Sequence, residues 1–118
     1  MITGYDHVQV AIPADSEATA RAYYGALLGM TEVAKPPALA ARGGCWFTSG
    51  NAMLHLGVEA DFRPAAKAHP AFVVDNLDDI AAALTAAGYA ATDSAELPGI
   101  RRFHTFDPFG NRLEFQQG

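Results

Sequence analysis

The chain has 118 residues, half of them hydrophobic and 18% charged, with a formal net charge of -5. That length supports one domain, or two small halves sharing a core, and the composition is that of a globular chain. The acidic balance argues against nucleic acid and anionic membranes as partners, and no apolar run is long enough to span a bilayer. Cys45 is the only cysteine, so no internal disulfide forms. The opening MITGYDHVQV lacks the basic start and apolar run of a signal peptide. Both features point to the cytoplasm.

The first predicted element is a strand in YDHVQVAIP, residues 5–13. Val8, Val10 and Ile12 alternate with His7, Gln9 and Ala11, and Pro13 closes the run. ADSEATARAYYGALLG follows as a helix, capped from Asp15 or Ser16 and ended by Gly29, with Ala20, Tyr23, Tyr24, Leu27 and Leu28 as its apolar stripe. A short strand is expected near residues 30–34, and KPPALAARGG reads as a loop. CWFTSG and AMLHLGV form a hairpin turning at Ser49, Gly50 and Asn51.

EADFRPAAKA reads as a linker, after which the pattern restarts. HPAFVVD is a strand; NLDDIAAALTAAGY is a helix capped from Asp75 or Asn76 and stopped at Gly88. AATD is a short strand and SAELPGI a loop. RRFHTFD and NRLEFQQ make a second hairpin around Pro108, Phe109 and Gly110. Each half thus reads strand, helix, three strands. His7 to His69 spans 62 residues; Gly29 to Gly88 and His55 to Glu114 each span 59. A tandem duplication of a βαβββ unit accounts for all three offsets. The fold class is α+β, with module one at about 4–59, a linker at about 60–67 and module two at about 68–117.

The repeat groups the polar residues. His7 and His69 open the first strand of each module, while His55 and Glu114 sit between apolar neighbours on the last strands. Strand side chains alternate faces, so His55 and Glu114 point away from those neighbours. A pseudo-twofold axis between the modules would bring His7, His55, His69 and Glu114 to one point. Three imidazoles and a carboxylate suit zinc, iron(II), nickel or manganese, not calcium or magnesium. His104, the remaining histidine, either lines the cavity or lies on the surface.

DHVQVAIP, AYYGALLGM, LHLGVE, AHPAFVVDNLDD and FDPFGNRLEF together resemble the vicinal oxygen chelate superfamily of glyoxalase I, extradiol dioxygenases, thiol transferases and bleomycin-resistance proteins. The resemblance covers nearly the whole chain and is most specific at DPFGNRLEF, residues 107–115. It implies paired βαβββ modules forming an incomplete barrel around a divalent metal, with His7, His69 and Glu114 as ligands and His55 in a variable fourth place. Glyoxalase I usually carries a glutamate there, so the histidine departs from that member. The resemblance also implies a small-molecule substrate and a homodimer.

Such a metal, chelated by two adjacent substrate oxygens, stabilises charge developing on them. Lyase, isomerase or dioxygenase chemistry follows, with His55 and Glu114 as the catalytic pair and His55 the natural base if it is not a ligand. For the substrate wall, one of Trp46 and Phe47 faces the cavity and one of Arg101 and Arg102 binds a substrate anion. The competing reading is a metal-free protein of the bleomycin-resistance kind that sequesters an aromatic or cationic small molecule.

Overall fold

Alternation at the start of the chain resolves into strand β1, Val8–Ile12, with Val10 and Ile12 buried and Val8 at the exposed end. The computed structural model describes all 118 residues and divides into two compact units, Met1–Arg63 and Pro64–Gly118. No helix is long and apolar enough to cross a membrane.

In the first unit, β1 is followed by α1, Glu17–Ala20, which widens into π-helical turns over Arg21–Leu27. Leu28 N–H reaches back five residues to the Tyr23 carbonyl at 2.9 Å, the bond that defines such turns. Ser16 occupies the cap position, but its hydroxyl donates to the Pro13 carbonyl at 2.6 Å instead of capping the helix. Then come β2, Thr31–Val33; α2, Pro37–Ala40; β3, Cys45–Ser49; and β4, Ala52–Val58. The stretch expected to be a loop therefore holds one helical turn, opened by Pro37 at a position where its missing N–H is harmless.

These strands form an open sheet in the order β1-β4-β3-β2, with β1 parallel to β4 and the other pairs antiparallel. Its core face carries Ile12, Cys45, Phe47, Leu54 and Leu56, together with Tyr23 and Tyr24 of the helix. Across β3 and β4, Trp46 pairs with His55.

The second unit repeats the plan: β5, Ala71–Val74; α3, Leu77–Ala86; β6, Thr92–Asp93; β7, Arg102–Phe106; and β8, Arg112–Gln117, in the order β5-β8-β7-β6. Asn76 stands at the N-cap of α3 without a capping side-chain bond. The Leu77 N–H instead donates to Gln117 Oε1 at 3.0 Å, so the helix start is tied to the last strand. Leu77, Leu84, Phe103, Leu113 and Phe115 form this unit's core. His7 and His69 lie just before β1 and β5, not within them.

Register in the β7–β8 hairpin is set by its turn. The buried Asp107 carboxylate accepts the Phe109 and Asn111 backbone N–H groups, each at 2.9 Å, and the Asn111 side-chain amide at 3.1 Å. Asn111 in turn accepts the Ala65 N–H at 3.0 Å, and Ala65 takes the Arg112 N–H at 2.9 Å. Part of the linker segment is thus pinned to the second unit. Three residues outward on either side of Asp107 and Asn111 stand His104 and Glu114, directly paired.

Gly44 leads into β3 at φ +81°, and a Cβ there would sit 2.1 Å from the Leu56 carbonyl oxygen. Gly50, at φ +56°, has open space around it. We predict that Gly44→Ala costs roughly 3 kcal/mol or more and Gly50→Ala about 1 kcal/mol, measured by urea unfolding. Equal costs would contradict the close approach of β4 at Gly44.

Candidate functional site

In each sheet one face is apolar and the other carries the unusual polar groups. On β3 and β4 of the first unit, the His55 ring is sandwiched between Trp46, centroids 3.8 Å apart and planes 3° from parallel, and His7, at 3.9 Å and 15°. Asp6 holds the His7 Nδ1 at 2.9 Å. The stack borders a hollow of about 670 Å³ that Gln9, Lys35 and Arg42 also line. Burial first, and then the neighbouring His7, push the His55 imidazole below its ordinary pKa. It is therefore neutral near pH 7, with a lone pair free for a proton or a metal. Of the two residues offered for the substrate wall, Trp46 borders the hollow and Phe47 belongs to the core. It is 1% exposed on the other face of β3, with its ring 6.1 Å from Tyr24.

The second unit gathers a denser cluster. His69 Nε2 and His104 Nε2 lie 3.0 and 3.1 Å from the same oxygen, Oε1 of Glu114. Ligand atoms of these three residues all fall within 4.8 Å of one another. The other Glu114 oxygen, Oε2, accepts the Gln116 amide at 2.7 Å and lies 3.2 Å from Arg102 Nη1. Burial alone would raise the Glu114 carboxyl, but the bonds from Gln116, His69 and Arg102 outweigh it and bring the pKa to about 2. Burial lowers His104 as well, helped by Arg112 and opposed by Glu114.

This donor set fits a divalent transition metal. Gln116 and Arg102 occupy Oε2, so Oε1 is the atom left to bind as a single ligand. His69 Nδ1 donates to the Lys67 carbonyl at 2.7 Å, which turns Nε2 toward Glu114. Both nitrogens of that ring face acceptors, so a proton or a cation must stand between Nε2 and the carboxylate. A backbone carbonyl behind an imidazole is the usual outer support of a metal-bound histidine.

Of the residues expected to act together, the structure joins His7 with His55, and His69 with Glu114. It also adds His104, foreseen only as a cavity or surface residue, to the second pair. Gln116 was not foreseen at all. Hairpin counting from Asp107 and Asn111 carries the signal for both, because it sets His104 opposite Glu114 and Arg102 opposite Gln116. Arg102 is 12% exposed and reaches Glu114, whereas Arg101 pairs with the exposed Asp78.

The depressed Glu114 pKa has a sign that can be checked. Its folded value lies below the ordinary 4.5. Its contribution is therefore complete above about pH 5 and is lost as pH falls toward 2. In metal-free protein, Glu114→Gln should cost about 3 kcal/mol at pH 7 and progressively less toward pH 2, read by urea unfolding across that range. A constant difference between the two proteins would contradict this electrostatic account.

The glyoxalase/bleomycin resistance protein/dioxygenase superfamily model matches residues 4–115. A glyoxalase family protein of Bacillus anthracis is 48% identical, with a TM-score of 0.95 over 100% of this chain and 97% of that one. At lower identity only the fold is shared. Lactoylglutathione lyase of Agrobacterium tumefaciens is 23% identical, with a TM-score of 0.70 over 94% of this chain and 92% of that one. The antibiotic binding protein TnmS3 of Streptomyces sp. CB03234 is 19% identical, with a TM-score of 0.73 over 99% and 98%. No protein of curated function matches the sequence. With a family match over nearly its whole length, this chain belongs to the glyoxalase/bleomycin resistance protein/dioxygenase superfamily.

Proposed function

We propose that this chain is a divalent-transition-metal enzyme acting on a small metabolite that chelates the metal through adjacent oxygens, as a lyase, isomerase or dioxygenase. The observation that carries the reading is the single Glu114 oxygen facing two imidazole nitrogens at 3.0 and 3.1 Å. When bound, the metal supplies Lewis-acid stabilisation of charge on the substrate oxygens, or, as iron(II), dioxygen chemistry. Zinc, iron(II), nickel and manganese suit these donors. The protein is proposed to work as a cytoplasmic homodimer.

The proposed ligands are His7, His55, His69 and Glu114, with His104 as a further candidate beside Glu114. Gln116 and Arg102 steady the carboxylate so that Oε1 faces the imidazoles. A carboxyl held near 2 takes up a proton poorly, so Glu114 serves better as a ligand than as a base. If His55 is not a ligand, its neutral imidazole is the better proton acceptor; Trp46, stacked on it, offers a flat surface to a substrate.

Metal content by mass spectrometry on untagged protein tests this. We expect about one transition-metal ion per chain, lost in Glu114→Ala and His69→Ala, with outer-support changes such as Gln116→Ala weakening binding by roughly tenfold or more. Retention of metal in His55→Ala would make His55 the base. Absence of metal from wild-type protein after reconstitution with each of the four ions would overturn the enzyme reading in favour of small-molecule sequestration.

A further inference from the structure

Arg102 presents a hydrogen-bonding edge that is only half filled. Its Nη1 lies 3.2 Å from Glu114 Oε2, and its Nη2 donates to Glu96 Oε2 at 3.0 Å. Its Nε is buried and has no partner. In a guanidinium the Nε–H and Nη2–H point the same way, spaced to meet both oxygens of one carboxylate. Here Nη2 is satisfied and Nε is not. The partner on Nη2 is also an odd choice for a side chain only 12% exposed, since Glu96 is 81% exposed.

Glu96 belongs to the loop between β6 and β7, where Ser94 Oγ donates to the same Glu96 oxygen at 2.9 Å. Two donors, Arg102 Nη2 and Ser94 Oγ, thus meet on one glutamate oxygen, while the adjacent Arg102 Nε meets none. Arg102 and Ser94 also line a hollow of about 500 Å³ in this unit. A buried donor left unmatched is costly, and a carboxylate gripping both Nε and Nη2 would remove that cost, where Glu96 does not.

We propose that the Nε–Nη2 edge of Arg102 anchors a carboxylate of the substrate, and that Glu96 is an internal stand-in that must leave when the substrate binds. The substrate is then a small acid with a carboxylate in addition to its chelating oxygens. Naming the bound molecule as substrate rests on the metal-enzyme reading, but the anion-binding edge does not require a metal. Glu96 competes with the ligand, and its exposed position on a loop lets it swing away without disturbing the sheet.

Succinate is the probe, titrated calorimetrically into wild-type, Glu96→Gln and Arg102→Lys protein, both as purified and after removal of metal with EDTA. The Arg102 Nε–H nuclear magnetic resonance signal, assigned by its loss in Arg102→Lys, is followed in parallel. Glu96→Gln should bind succinate about three- to tenfold tighter than wild type, because the competing charge is gone. Arg102→Lys should bind it about tenfold weaker, because lysine has no two-pronged edge. The Nε–H signal should shift on binding. Equal affinity in wild type and Glu96→Gln, no succinate binding by Glu96→Gln, or an unmoved Nε–H signal would overturn the inference. A gain in EDTA-treated Glu96→Gln upholds the anion edge even if no metal is found. Bound metal without that gain overturns this inference alone.

Discussion

The Asp107 carboxylate, buried in the β7–β8 turn, accepts three N–H groups from Phe109 and Asn111. That network decides which residues of the second unit meet. A hairpin slipped by one residue would turn every side chain of β8 to the opposite face. With the turn closed between Asp107 and Asn111, His104 lies opposite Glu114 and Arg102 opposite Gln116. Phe103 and Phe115, paired on the other face, go to the core. Apolar packing on one face and polar clustering on the other are thus two consequences of one register.

Glu114 shows what that clustering achieves. A buried carboxylate is expensive to desolvate and is tolerated only when its oxygens are matched. Each oxygen here faces two donor groups, and the two sides differ in kind. Gln116 and Arg102 on Oε2 are permanent partners, since neither an amide nor a guanidinium gives up its protons near neutral pH. The imidazoles on Oε1 can exchange a proton for a metal. The site is accordingly rigid on one side and exchangeable on the other. In the first unit the equivalent hairpin position opposite the last-strand polar residue holds Trp46 instead of a histidine, and His55 stacks on it. The duplicated architecture has thus kept its register while the two hairpins carry different chemistry.

Much of this was legible in the sequence because strands and repeats have periods. The alternation around Val10 and Ile12, the paired helices and the 59- to 62-residue offsets specify two βαβββ modules, and the polar residues between apolar neighbours in AMLHLGV and NRLEF point to His55 and Glu114. What was not legible depends on side-chain reach across strands. His104 is ambiguous until the hairpin register is known. Gln116 reads as an ordinary end-of-strand amide, and Glu96 as a surface charge in a loop. Alternation shows that Trp46 and Phe47 face opposite ways, but which of them faces the core is decided by packing against Tyr24. Asn76 takes the cap position expected of Asp75 or Asn76 but makes no capping bond, since the donor that needs satisfying is met by Gln117, forty residues away.

The central claim is that Glu114 Oε1 and the imidazoles facing it hold a transition metal. Anomalous diffraction at the cobalt edge, from crystals grown with cobalt(II), tests it most directly. The account predicts one strong peak bonded to Glu114 Oε1 and His69 Nε2, with Gln116 and Arg102 still on Oε2. A peak elsewhere in the molecule, or a cluster that keeps both histidine contacts to Glu114 and binds no cobalt, would contradict it.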